Sequence, residues 1–194
     1  MIHNILKDKK VLLASASPRR RLIFDLLGIK ALVIPTHIDE PTTLELPYIQ
    51  AIKHAKNKVM AISGKIDEDA VIIGADTVVY LNGMILGKPR SREDATDYLR
   101  ILSGKTHSVY TGLCVKHCQV IQCDYARSRV TFGELSEQDI EEYIITREPF
   151  DKAGAYGVQG FGSQFITRIN GCYFNVMGFP VNLFYQLLKG MFQE

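Results

Sequence analysis

The sequence of 194 residues has no tryptophan, only four cysteines, little net charge and no long apolar run. A formal net charge of +2 is too small for bulk binding to nucleic acid polymers or membranes, so anion recognition has to be local. No stretch has the apolar length that a bilayer span requires, and the start of the chain lacks the apolar core of a signal peptide. We therefore expect a cytoplasmic globular protein.

The cysteines follow no common metal-binding or disulfide pattern. They are Cys114, Cys118, Cys123 and Cys172, and the short gaps among the first three match no usual zinc knuckle. Disulfide frameworks are typical of short secreted chains with small cores, whereas 46% of this chain is hydrophobic. We expect four reduced thiols with structural roles.

Several motifs that define enzyme classes are also missing. The chain contains no GxxxxGK[ST] phosphate loop, no GxGxxG that follows a strand and opens a helix, and no GxSxG. The histidines show no HxxxH-type spacing, so we interpret them as surface or core residues: His37, His54, His107 and His117. These absences argue against a P-loop ATPase and a covalent hydrolase.

Apolar periodicity predicts strands that alternate with helices. Strands are expected near 10–15, 31–35, 70–80, 107–117 and 120–132, and helices near 18–28, 47–63, 91–103, 136–147 and 180–190. Ser136 with Asp139 resembles a capping box, and Asn82-Gly83 is a hairpin turn signal. No change in composition marks a linker. The pattern predicts an α/β fold with a mixed twisted sheet flanked by helices, in one domain over 1–194 with two lobes around a cleft.

Residues 14–21, ASASPRRR, place three cations in the first turn of a predicted helix. Acidic residues usually lie there, because the N-terminus of a helix is electropositive. Free backbone N–H groups, the Ser15 and Ser17 hydroxyls and guanidinium forks together suit a polyphosphate. The segment therefore predicts a phosphate-binding loop. The alternative is that the arginines only keep the helix soluble.

Two acidic segments could serve catalysis. Asp76 in GADT interrupts an apolar, β-branched run, and a buried carboxylate needs a cation or a metal as its partner. The alternative for Asp76 is a turn-forming role at the end of a strand. Asp39 and Glu40 follow the second predicted strand, where they either join a metal site or are exposed loop acids.

Two further segments could contact a ligand. Lys88 in GKPR suits a phosphate contact after a hairpin, although a solvated loop lysine would look the same. Gln159 in DKAGAYGVQG has a donor and an acceptor suited to a base edge, among glycines that let the backbone approach a ligand. An ordinary glycine-rich turn is the alternative for that segment.

Taken in order, these segments resemble the Maf family of nucleoside triphosphate pyrophosphatases. The matching segments are LASASPRR (13–20), GADTVV (74–79), GKPR (87–90), LSGKTHSVYTG (102–112), DKAGAYGVQG (151–160) and NGCYFNVMGFP (170–180). The resemblance implies an architecture like that of inosine-triphosphate pyrophosphatase. It also implies a homodimer and hydrolysis of the α–β phosphoanhydride bond, with Mg²⁺ or Mn²⁺ as cofactor.

The resemblance assigns roles to single residues. The phosphate-contacting residues that it implies are Ser15, Arg19, Arg20 and Lys88. Asp76 matches the catalytic carboxylate, which would hold the metal together with Glu40. Lys56, which would also bind the phosphates, fits a further family lysine better than Lys58 does. The combination of Arg20, Thr77 and Gln159 resembles the subclass that prefers dTTP and UTP.

The expected activity is thus pyrophosphate release from dTTP and UTP, a house-cleaning reaction of the nucleotide pool, with Asp76 activating water. Two other functions stay open at this point. One is a nucleotide-binding regulator of cell division or septum formation that does not turn over its ligand. The other is a metal-dependent phosphatase that releases orthophosphate.

Overall fold

The computed structural model describes residues 1–36, 38 and 45–192. Its strands are β1 (Val11–Ala14), β2 (Leu32–Ile34), β3 (Val71–Leu81), β4 (Met84–Leu86), β5 (Thr106–His117), β6 (Val120–Phe132) and β7 (Ile166–Asn170). Its α-helices are α1 (Ile2–Ile5), α2 (Pro18–Leu26), α3 (Pro47–Ser63), α4 (Arg92–Leu102), α5 (Glu137–Ile145), α6 (Tyr173–Met177) and α7 (Val181–Phe192). Short 3₁₀ turns lie at Glu148–Asp151, Ala153–Ala155 and Phe161–Phe165.

The strands in the described part of the chain form one mixed sheet. Its order is β2-β1-β3-β5-β6-β7, with β4 paired to β3 at the far end of that strand. β1 runs parallel to both β2 and β3, whereas β3, β5, β6 and β7 pair antiparallel in succession. The predicted α/β class with a mixed sheet flanked by helices is confirmed.

Apolar side chains cover the sheet in three clusters. One cluster packs α1, α2 and α7 on one face, with Phe24, Phe179 and Phe184 in edge or tilted ring contacts. A second cluster lies under α3 on the opposite face, around Ala55 and Val59. The third joins α4 and α5 to the far ends of β3 and β5. The long strands therefore connect two ends of the molecule that have separate apolar cores.

Helix α3 lies very close to the sheet because two strand positions lack side chains. Gly74 on β3 and Gly112 on β5 face the α3 backbone, and a methyl group on Gly112 would overlap the main chain of Ala51. Gly112 is also the register partner of Asp76. This close approach brings the inward-facing side chains of α3 to the polar centre of β3.

Local signals at helix starts are largely confirmed. Ser136 and Asp139 form the predicted capping box of α5, and the Ser91 side chain accepts the Asp94 N–H at the start of α4. Ser17 precedes α2, but its side chain makes no cap hydrogen bond. Among the described residues, no helix combines the length and apolar character needed to cross a membrane.

The expectation of four reduced thiols is wrong for one pair. Cys114 on β5 and Cys123 on β6 are disulfide-bonded, whereas Cys118 and Cys172 are free. The two paired residues lie directly opposite each other in the antiparallel ladder, with Cα atoms 4.1 Å apart. Strand register brought these sulfur atoms together, and the spacing of cysteines along the chain carries no information about that register.

Candidate active site

A cleft of about 820 Å³ lies beside β3 and is lined from both ends of the molecule. One side of the cleft is formed by the loop before α2, the inward face of α3 and the centre of β3. Other parts of its wall are lined by Lys88, Lys152 and Tyr156. This volume is typical of a site for a small-molecule ligand. Arg19 and Arg20 of ASASPRRR and the Asp76 carboxylate of GADT therefore line one cavity.

Asp76 is the buried carboxylate of the cleft. Its Oδ1 accepts a hydrogen bond from Lys58 Nζ at 2.8 Å, and its Oδ2 lies 3.2 Å from His54 Nδ1. Burial opposes ionisation, but the His54 hydrogen bond and the Lys58 and Arg20 charges outweigh it and hold the Asp76 pKa below its usual range. Asp76 is therefore an ionised group with cationic neighbours on the wall of the cleft.

The lysine beside Asp76 is Lys58, and the preference for Lys56 is wrong. Lys58 is 6% exposed and also donates to the Ala75 carbonyl at 3.1 Å, whereas Lys56 is exposed to solvent. The helical period explains the difference, because two residues along a helix rotate a side chain to the opposite face. His54, which the sequence suggested as a surface or core residue, belongs to the site.

Residues four apart on α3 form a polar row that sequence inspection could have found. Gln50, His54 and Lys58 are buried and line the cleft. Polar residues at this spacing share one face of a helix, and here the adjoining residues Ala51, Ala55 and Val59 fill the core. A polar row beside an apolar row indicates a helix that faces both a core and a site.

Arg20 turns into the protein rather than toward solvent. Its Nε donates to the Gly178 carbonyl at 2.8 Å, and its two terminal nitrogens lie 3.1 Å from Ser15 Oγ and 3.2 Å from Thr77 Oγ1. Thr77 Oγ1 in turn lies 3.0 Å from Thr111 Oγ1. The guanidinium therefore connects the phosphate-loop sequence to β3 and to the end of α6.

Arg19 and Arg21 occupy different surroundings from Arg20. Arg19 Nη1 bonds Asp151 Oδ2 at 3.0 Å, and both residues line the cleft, whereas Arg21 is exposed. Lys152 also contacts the Asp151 carboxylate. Burial opposes ionisation of Asp151, but Lys152 and Arg19 together lower its pKa. The alternative interpretation, in which the arginines only keep the helix soluble, thus applies to Arg21 and not to Arg19 or Arg20.

The remaining predicted residues divide into three groups. Ser15, Ser17, Thr77 and Lys88 line the cleft. Gln159 does not, although the nearby Gly157 and Val158 do. Glu40 lies outside the described residues. Within the ranges that the structure describes, no three histidine, cysteine or acidic side chains converge in a metal-binding group.

The chain belongs to the Maf family, since the family model for Maf-like protein matches residues 10–191. A relative from Aquifex aeolicus (strain VF5), dTTP/UTP pyrophosphatase, is 45% identical over 180 residues, which cover 93% of this chain and 94% of that protein. Another dTTP/UTP pyrophosphatase, from Clostridium beijerinckii, is 46% identical over 93% of this chain and 98% of that protein.

The fold also matches a solved structure. The Staphylococcus aureus Ham1 protein superposes with a TM-score of 0.52 over 94% of this chain and 100% of that chain. The sequence identity between the two is 16%, so the likeness concerns the fold alone.

Proposed function

We propose that this protein hydrolyses dTTP and UTP to the monophosphate and pyrophosphate and so removes nucleotides from the pool. One observation carries the proposal: the ionised Asp76 shares a cleft with the side chains of Arg19, Arg20, Lys58 and Lys88. The names of the two bacterial relatives described above support the same reaction and substrates.

The chemistry follows from charge and position. Cationic side chains bind the phosphate oxygens and offset the negative charge that builds up on the pyrophosphate leaving group. Asp76 accepts the proton of a water molecule that attacks the α-phosphorus, and the bond between that phosphorus and the α–β bridging oxygen breaks. Because Lys58 and His54 hold the carboxylate, its position is set before substrate binds.

A divalent cation, Mg²⁺ or Mn²⁺, is part of the proposal. Such ions bind through one or two carboxylates together with substrate phosphates, and Asp76 supplies one carboxylate at the cleft wall. Each carboxylate oxygen has two lone-pair sites, so the bonds from Lys58 and His54 leave acceptor capacity. Glu40 is the proposed second ligand. When bound, the ion would neutralise triphosphate charge.

The finer assignments extend this proposal. Ser15, Ser17 and Lys88 contact phosphates, and the Arg20–Thr77 pair takes part in base selection. We also propose that the protein is a homodimer, as the family resemblance implies, and that it is cytoplasmic, as expected from its sequence. A regulator without turnover is less well supported, because a passive phosphate site gains nothing from a carboxylate beside the anion. A phosphatase would release orthophosphate instead.

The first test replaces the proposed catalytic carboxylate. Asp76→Asn should lower the turnover of dTTP by about 10²-fold or more, because the amide cannot accept a proton from water, while dTTP still binds. Asp25→Asn, at an exposed position of α2, is the matched control. Pyrophosphate and orthophosphate are measured separately. Normal pyrophosphate release by Asp76→Asn, or orthophosphate as the product of the unmodified protein, would contradict the proposal.

A further inference from the structure

His54 is a buried polar side chain of α3, between Gln50 and Lys58 in the polar row and beside the apolar Ala55. It is 5% exposed and lies one helical turn before Lys58. Burying an imidazole costs free energy unless it gains a hydrogen bond. An aliphatic side chain would fill the same space beside Ala55 without that cost. The partner that compensates for the burial of His54 is Asp76, whose Oδ2 lies 3.2 Å from Nδ1.

The direction of this hydrogen bond follows from the charge of Asp76. An ionised carboxylate only accepts hydrogen bonds, so Nδ1 of His54 carries the proton and donates it to Oδ2. Lys58 donates to the other oxygen, Oδ1, at 2.8 Å. Two consecutive turns of α3 therefore hold the two oxygens of one carboxylate separately.

Two separate donors restrain a motion that a single donor does not. The carboxylate plane of an aspartate turns about a soft torsion with broad, roughly two-fold preference. Lys58 holds one oxygen through a flexible four-carbon chain, whereas the imidazole ring of His54 is rigid and buried. The second contact therefore restricts rotation of the Asp76 carboxylate plane about this torsion.

From this arrangement we infer that His54 is a positioning residue that orients the Asp76 carboxylate for its reaction with water. The inference rests on the proposed function, because it assigns Asp76 to the attack on the α-phosphorus. His54 itself need not touch the substrate. Since the phosphate contacts are assigned to other side chains, loss of the Nδ1 donor should reduce kcat and leave KM nearly unchanged.

Three substitutions of His54 distinguish the presence of a hydrogen-bond donor from the position of that donor. In His54→Asn the amide nitrogen has the same bond separation from the backbone as Nδ1, so a donor to Asp76 is kept. His54→Gln moves the donor one bond farther out, and His54→Leu removes it. We expect kcat for pyrophosphate release from dTTP to fall about 10- to 100-fold for Leu and Gln, and His54→Asn to restore most of it.

Two further measurements make the result specific. Thermal unfolding of each variant reports folding, and His3→Leu, at an exposed position of α1, repeats the chemical change away from the cleft. Equal kcat losses for Asn and Leu in folded proteins would overturn the inference, as would a wild-type kcat for Leu or a loss confined to KM. If Leu does not fold, the contrast between Asn and Gln decides in the same way.

If the proposed function is wrong, the same kinetic measurements give different results. In that case the unmodified protein releases no pyrophosphate from dTTP, or Asp76→Asn retains full turnover. If the unmodified protein is active and Asp76→Asn is inactive while His54→Leu turns over normally, only the role of His54 is rejected.

Discussion

At the residue scale, His107 on β5 shows how burial determines protonation. Its Nε2 lies 2.7 Å from the Tyr156 hydroxyl, its ring packs edge-on against Phe132 and Tyr156, and its Nδ1 is buried without a hydrogen-bond partner. Burial disfavours the imidazolium ion and lowers the pKa of His107 to about 4. The folded protein therefore holds this histidine neutral well below pH 6.5.

This lowered pKa predicts a loss of stability in mild acid. The unfolded chain protonates His107 below about pH 6.5, whereas the folded chain does so only near pH 4, so unfolding takes up a proton between these values. The contribution to the free energy of unfolding is complete above pH 6.5, and about 3 kcal/mol is lost as the pH falls to 4. Urea unfolding across this range measures the loss.

The matched substitution is His107→Gln, which keeps a polar partner for Tyr156 but does not titrate. Its unfolding free energy should depend less on pH than that of the unmodified protein between pH 6.5 and 4. His3→Gln, at an exposed position, should leave the pH dependence as it is. Identical pH profiles for His107→Gln and the unmodified protein would show that another group causes the loss.

At the element scale, the approach of α3 to the sheet determines the geometry around Asp76. Gly112 and Gly74 leave room for the helix backbone, and α3 carries both His54 and Lys58. A side chain on either glycine would separate the helix from the strands. The glycines of β3 and β5 therefore contribute to the site without contacting a ligand.

We expect Gly112→Ala to lower the free energy of unfolding by about 1–3 kcal/mol, because the methyl group overlaps the Ala51 main chain and α3 must shift. The same shift should lower turnover of dTTP in the protein that remains folded. Gly64→Ala is the control, since Gly64 ends the same helix at negative φ with no atom near a new methyl group. Equal stabilities for the two variants in urea would refute the packing argument.

At the scale of the whole molecule, the cleft joins segments that are far apart in the chain. Its lining includes the loop before α2, β3 and the turns at 151–158, and Arg19 is paired with Asp151 across 132 residues of sequence. These groups come together only in the folded state. A ligand that contacts both sides should therefore bind the folded chain and stabilise it.

A non-hydrolysable analogue tests this consequence directly. At 100 times its Kd, the α,β-methylene analogue of dTTP with Mg²⁺ should add about 2.7 kcal/mol. For a chain of this size that corresponds to a rise in Tm of about 5–10 °C. Thymidine, which lacks phosphates, should shift Tm much less. Equal shifts with both ligands, or none with the analogue while dTTP is hydrolysed, would count against a phosphate-binding cleft.

Much of the fold was predictable because its signals are local. The capping box of α5, the hairpin turn and the apolar periods of α3 and β3 each lie within one segment. The inward orientation of Lys58 could also have been predicted, because its spacing from Gln50 and His54 places the three residues on one helix face. The orientation of the Arg20 side chain could not be predicted, because its partners Gly178 and Thr77 belong to distant segments.

The sequence by itself determined the alternation of strands and helices, the cationic loop before α2 and the carboxylate of β3, because these depend on neighbouring residues. Only the tertiary structure decided which lysine faces Asp76, that His54 holds its second oxygen, and that Cys114 opposes Cys123. Such contacts depend on strand register and on the rotation of a helix against a sheet. Those two quantities are set by packing over the whole core, which no single segment contains.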